Sequence, residues 1–132
     1  MKRVLIILSF AATLVIACTS CKKSSADLSL QGNWELIKIS GMAGITNFAA
    51  GNGNKYIFEG NNYSRYENGT LVTSGRFSIV KDDSASVSRL AGYITFENPP
   101  PTTNWFYLLD NNTLVIDYGS AVDGPVNTYT RR

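Results

Sequence analysis

The sequence predicts an all-β domain over residues 28–132, folded as an eight-stranded antiparallel up-and-down barrel. Short segments rich in Tyr, Phe, Val, Ile and Thr alternate with Asn, Gly, Asp and Pro. No stretch after Leu28 carries apolar residues at helical spacing over three turns. The number of strand segments is even. In an up-and-down sheet, the start of the first strand and the end of the last strand would therefore lie at the same end of the sheet. A sandwich of two β-sheets is the alternative architecture.

The strand segments are bounded by residues that favour turns. Asn68-Gly69 is the strongest hairpin signal, because a two-residue type I′ turn needs a positive φ at both positions. Gly60-Asn61 and 110–112 are further turns, and 99–101 is a run of prolines that cannot continue a strand. Strands are predicted at 32–40, 54–59, 62–67, 70–80, 87–97, 103–109, 113–118 and 126–131.

Short turns make consecutive strands antiparallel neighbours. Pairing the first strand with the eighth would close the sheet and remove both exposed edges. A closed barrel of eight strands has an interior just wide enough for side chains or for one small ligand.

The first residues of the chain have the pattern of an export signal. A basic head, Met1 to Arg3, precedes a nearly uncharged apolar run from Val4 to Ala17. The run is about 14 residues long, whereas a transmembrane helix needs about 20. We therefore predict a cleaved signal peptide at 1–17.

Cys18 follows the small residue Ala17, and the junction resembles the lipobox of bacterial lipoproteins. The resemblance implies that Cys18 is acylated and that 18–27 is a lipidated, polar tether. Cys21 is the alternative acylation site, and an exported protein without lipid is the alternative to both. Acyl chains of this kind hold a protein stably on a membrane.

A family resemblance comes from the two ends of the domain. Residues 30–36 contain a Gly-x-Trp motif, Gly32 to Trp34, and residues 129–132 bring an arginine to the last strand. Together they resemble the lipocalin-like lipoproteins of bacterial envelopes. The resemblance implies that Trp34 plugs the closed end of the barrel and that Arg131 packs across it. Arg132 takes that role if the register differs by one. It also implies a cell-envelope protein anchored to the outer membrane.

The composition excludes several functional classes. The chain has no histidine, which removes Ser-His and Cys-His catalysis and the commonest metal ligand. Asp82-Asp83 is read as a solvated turn, and Glu35, Glu59, Glu67 and Glu97 alternate with apolar residues and are read as outward-facing. We therefore predict no enzymatic activity, no metal site and no cofactor, and a hydrolase is the weakest alternative.

The charge balance argues against a nucleic-acid partner. Without Lys2 and Arg3, the ten remaining basic residues equal the ten acidic ones, so no basic face is available for phosphates. The membrane, reached through the anchor, is the predicted partner.

The longest predicted connection, 41–53, lies at the barrel end opposite Trp34. It carries Met42, Ile45 and Phe48 among glycines and alanines, and we read these three as a mobile apolar lid over a ligand mouth. The predicted function is binding of a small apolar or amphipathic molecule. The alternative is an interaction module or inhibitor that uses its loops against an envelope protein and has no internal ligand.

Overall fold

The computed structural model describes residues 29–83, 89–98 and 104–132, which form nine β-strands and one short 3₁₀ helix at Ser120–Val122. The predicted signal peptide, Cys18, Cys21 and the tether lie outside these residues. Within the described ranges, no helix has the length and apolarity needed to cross a bilayer. The strands are β1 (Gly32–Gly41), β2 (Gly44–Asn47), β3 (Lys55–Glu59), β4 (Asn62–Glu67), β5 (Thr70–Lys81), β6 (Arg89–Phe96), β7 (Trp105–Asp110), β8 (Thr113–Asp117) and β9 (Val126–Arg131).

The sheet closes on itself. From β3 to β9, each strand pairs antiparallel with the next one in the chain, and β1 pairs with both β3 and β9. The closing register places Trp34 opposite Arg131 and Leu36 opposite Tyr129. The prediction of a closed eight-stranded up-and-down barrel is therefore confirmed, and the sandwich alternative is wrong.

Strand β2 is an addition to the eight barrel strands. Strand β3 begins at Lys55, opposite Glu35, so the later half of β1 has no partner from β3. β2 fills this edge, with Lys38 opposite Asn47 and Gly41 opposite Gly44. Part of the connection that was expected to be a loop is therefore a hairpin, because a backbone edge left open by a short neighbour is satisfied by the nearest chain.

The barrel has two distinct ends. The base, as we call it, is the end where β1 begins and β9 finishes. The mouth is the opposite end, with the β1–β2 hairpin and the Asn68-Gly69 turn. Asn68 and Gly69 both have positive φ, at 48° and 81°, as a type I′ turn requires.

Inward-facing side chains fill the middle of the barrel. Tyr56 stacks on Phe58 and on Phe96, with ring centroids 5.5 and 5.4 Å apart. Phe58 meets the edge of Phe77 at 4.9 Å, which is a favourable geometry for an aromatic pair. The largest fully buried side chains in the described part of the chain are Trp34, Phe58, Ile94, Tyr107, Leu109, Leu114 and Ile116.

Candidate functional site

Trp34 and Arg131 meet at the base. Trp34 is fully buried, and its indole N–H donates a 2.7 Å hydrogen bond to the carbonyl of Leu30. The guanidinium carbon of Arg131 lies 4.6 Å from the centre of the Trp34 ring. Its two terminal nitrogens donate to the carbonyls of Gln31, at 3.0 Å, and Ser29, at 2.7 Å. The guanidinium thus ties the segment before β1 to the last strand.

Gly32 and Arg132 complete the base around this pair. Gly32 has a φ of 117°, a backbone conformation that side chains disfavour. A Cβ there would lie 3.8 Å from the Nη1 of Arg131, which is an ordinary van der Waals distance. Glycine is therefore favoured at this position by the backbone conformation, since a side chain would not clash. Arg132, the predicted substitute for Arg131, binds Glu35 instead.

The Glu35 carboxylate is buried, which alternation along the strand did not predict. It is 7 % exposed, and it accepts hydrogen bonds from Arg132 Nε at 2.6 Å and from the backbone N–H groups of Gly51, at 2.5 Å, and Asn52, at 3.1 Å. Burial alone would raise the pKa of Glu35, but these hydrogen bonds and the charge of Arg132 outweigh it and lower the pKa. Glu35 therefore joins the end of the chain to the loop that follows β2.

That loop is held by its own hydrogen bonds. The side-chain amide of Asn52 donates to the carbonyls of Leu36, at 2.9 Å, and Ala49, at 2.7 Å. Gly53 lies against the Asn68-Gly69 turn, where its carbonyl accepts from the Gly69 N–H at 3.0 Å and where a Cβ would come within 2.5 Å of that nitrogen. The segment predicted as a lid is thus anchored to β1 and to the neighbouring turn.

A cavity of about 150 Å³, the mouth cavity, opens between the β1–β2 hairpin and the mouth ends of β3 and β4. Phe48 lines it and packs against the core. Met42 and Ile45 do not line it, and they are 79 % and 68 % exposed on the hairpin. Of the three residues predicted at the mouth, the structure therefore brings one to the cavity. Its walls are Leu36, Ile39, Phe48, Asn54, Lys55, Tyr56, Arg65, Glu67, Asn127 and Tyr129.

One side of the mouth cavity is polar. Arg65 forms an ion pair with Glu67 at the rim. The hydroxyls of Tyr56 and Tyr118 are 3.1 Å apart, and burial raises the pKa of both, so both phenols stay protonated at neutral pH. The sequence carried no signal for this hydroxyl network.

Asn127 is another wall residue of this cavity, and its side chain carries an unpaired acceptor. Its side-chain amide donates to the Tyr129 hydroxyl at 3.2 Å. Its Oδ1 is buried and has no hydrogen-bond partner among the described residues. A group that donates a hydrogen bond could therefore be held here while its apolar part contacts Phe48 and Leu36.

The acidic groups form no metal-binding cluster in the described part of the chain. No group of three His, Cys, Asp or Glu side chains there could hold a metal ion. Asp117 accepts from the Ser120 hydroxyl and from the N–H groups of Ser120, at 2.6 Å, and Gly119, at 2.9 Å. These hydrogen bonds, those of Ser120 first, lower the pKa of Asp117, and they brace the turn before the 3₁₀ helix.

Comparison with protein-family models, with curated proteins and with solved structures found no match to this chain.

Proposed function

We propose that this protein is a non-enzymatic, lipid-anchored protein of the cell envelope whose barrel mouth binds a small amphipathic molecule. The anchor is Cys18, and the resemblance to lipocalin-like lipoproteins is part of the proposal. The described domain supports it with a cavity at the end of the barrel that has apolar and polar walls. The membrane, through the anchor, is the partner.

The mouth cavity carries the ligand part of the proposal. Leu36, Ile39 and Phe48 offer an apolar wall, while the unpaired oxygen of Asn127 offers an acceptor. The volume of the mouth cavity is about 150 Å³. Pockets that hold drug-sized ligands have volumes of about 300–1,000 Å³. The ligand therefore inserts one end, with a hydroxyl on Asn127, and leaves the rest outside.

Filling the cavity tests this function. Phe48→Trp adds volume at the cavity wall, whereas Met42→Ala changes a side chain of the same hairpin region that points into solvent. With octan-1-ol as the probe in titration calorimetry, we expect Phe48→Trp to weaken binding about tenfold or more and Met42→Ala to leave it unchanged. Equal affinity in the wild type and in Phe48→Trp would remove the mouth cavity as the site.

The anchor has a separate test. Cys18→Ser should give unlipidated protein that no longer fractionates with membranes, while Cys21→Ser should remain lipidated. Mass spectrometry of the mature N-terminus reads out both variants. Acylation that persists in Cys18→Ser and disappears in Cys21→Ser would move the anchor to Cys21.

A second candidate function, an interaction module for an envelope protein, is favoured by the exposed hairpin. Met42 and Ile45 are apolar and solvent-facing, and no described strand pairs with the outer edge of β2. Exposed strand edges readily pair with another chain. Replacing Met42 and Ile45 together by Ser should abolish capture of a protein partner, yet spare octan-1-ol binding. Undiminished capture of the partner by this double variant would remove the exposed hairpin as the docking surface.

A further inference from the structure

A second cavity, the base cavity, lies at the opposite end of the barrel, with a volume of about 210 Å³. It exists because β4 begins at Asn62, opposite Arg76, so the last residues of β5 have no β4 partner. The segment before β1 covers part of this opening in the wall. The lining residues are Ser29, Leu30, Gln31, Gly60, Asn61, Phe77, Ser78, Ile79, Lys81, Leu90 and Tyr107.

Tyr107 lines this cavity and carries an unpaired polar group. Its side chain is fully buried, and its hydroxyl has no hydrogen-bond partner among the described residues. Burial raises the pKa of Tyr107, so the phenol keeps its proton and can donate a hydrogen bond. Buried hydroxyls without partners are rare in folded proteins because leaving one unpaired is costly.

The apolar part of the wall consists of Leu30, Phe77, Ile79 and Leu90. Leu30 and Phe77 belong to the core, and Leu90 packs against it. The volume exceeds that of an apolar cavity of about 150 Å³ that holds benzene in another protein. One ring with a short substituent therefore fits.

The charges at the rim favour a neutral occupant. Lys81 is the one basic side chain in the lining. It is exposed to solvent, so water and salt weaken its attraction for an anion.

We propose that the base cavity binds a small neutral molecule with an apolar body and one acceptor oxygen, to which the Tyr107 hydroxyl donates a hydrogen bond. A ketone, ester or alcohol of this size meets the description. This site lies at the other end of the barrel from the mouth cavity, and it does not depend on the proposed function.

The test compares two probes of nearly equal shape in an NMR titration of the labelled domain. Acetophenone has an acceptor oxygen, and toluene has none. Both should shift the backbone amide signals of Gly60, Asn61 and Leu90, and acetophenone should bind about five- to tenfold more tightly. No shifts with either probe at about 10 mM, or shifts confined to residues of the mouth cavity, would overturn the proposal.

Tyr107→Phe isolates the hydroxyl. In this variant the preference for acetophenone should disappear, while toluene binds as it does to the wild type. Met42→Ala, on the exposed hairpin at the mouth, should leave both affinities unchanged. A preference that persists in Tyr107→Phe would overturn the role of the hydroxyl.

The melting temperature of Tyr107→Phe and the affinity for benzoate provide two further tests of the proposal. Without a probe, Tyr107→Phe should melt at the same temperature as the wild type or higher, because it removes an unpaired buried group. A clearly lower melting temperature would mean that the hydroxyl has a structural partner and would overturn the proposal. Benzoate should bind more weakly than acetophenone, and tighter binding of benzoate would show a site for anions.

Discussion

The base and the mouth of the barrel are built from different interactions. At the base, a fully buried indole lies under a guanidinium, and both groups hydrogen-bond the backbone just before β1. At the mouth, hydroxyls, amides and an ion pair border a small cavity, and the hairpin beyond it exposes apolar side chains. Removal of buried packing costs more than a change to groups that water can reach. Substitutions at the base should therefore affect stability, and those at the mouth should affect binding.

Trp34→Ala, at the base, should cause the largest loss of stability among these substitutions. Buried Trp→Ala changes cost about 3–5 kcal/mol, because a cavity is left where the ring was. In a domain of this size each kcal/mol lowers the melting temperature by about 4–8 °C, so we expect a drop of more than about 12 °C. Thermal unfolding followed by circular dichroism measures it.

Trp105→Ala is the matched control at the other end. Trp105 is only partly buried, and it contacts Tyr118 with ring centroids 5.2 Å apart. Its loss should cost clearly less than the loss of Trp34. Equal losses of stability would erase the proposed difference between the two ends.

Arg131→Met should cause an intermediate loss of stability. The change keeps much of the apolar stem, but it removes the cation over Trp34 and the hydrogen bonds to Gln31 and Ser29. A cation–π contact contributes about 0.5–2 kcal/mol, and we expect a total loss of about 1–2 kcal/mol in urea unfolding. Arg131→Lys should recover only part of it, since an ammonium cannot reproduce the planar fork. Full recovery by lysine would show that charge alone matters.

The sequence predicted the base better than the mouth, for a physical reason. Trp34 and Arg131 are placed by strand parity, since an even number of antiparallel strands brings the two ends of the domain together. Eight predicted strands match eight barrel strands within a few residues at their ends. These features depend on alternation and turn residues, which are local.

The features that sequence reasoning missed depend on unequal strand lengths. β2 forms because β3 stops short of the mouth half of β1, and the base cavity forms because β4 stops short of the end of β5. The burial of Glu35 needs the loop backbone of Gly51 and Asn52 to turn back onto β1. No local pattern encodes these long-range matches. The sequence does contain the residues of the Glu35 contact, since Gly-Asn-Gly-Asn follows this glutamate after 16 residues.

Glu35→Gln should lower stability by an amount that depends on pH. The folded state lowers the pKa of Glu35, so the carboxylate contributes stability above its unfolded pKa, about 4.3, and loses that contribution as the pH falls through the folded value. Arg132 is nearly half exposed, so solvent screens the pair, and we expect a loss of about 1 kcal/mol at pH 7. The difference between the variant and the wild type should shrink below about pH 4. Urea unfolding at pH 7 and pH 3 checks it, and a difference that grows at pH 3 would contradict the direction of the shift.

Ile45→Ser, on the mouth hairpin, should give the smallest effect. Ile45 pairs with Ser40 through the backbone of β2, but its side chain is 68 % exposed, so little apolar contact is lost on substitution. Surface changes of this kind usually alter stability by no more than about 0.5 kcal/mol. Phe48→Ser, a few residues along the chain, removes a side chain that packs on the core and should cost clearly more. If Ile45→Ser were as destabilising as Phe48→Ser, the hairpin would owe its stability to a buried contact of Ile45, and the mouth would be held by packing as the base is.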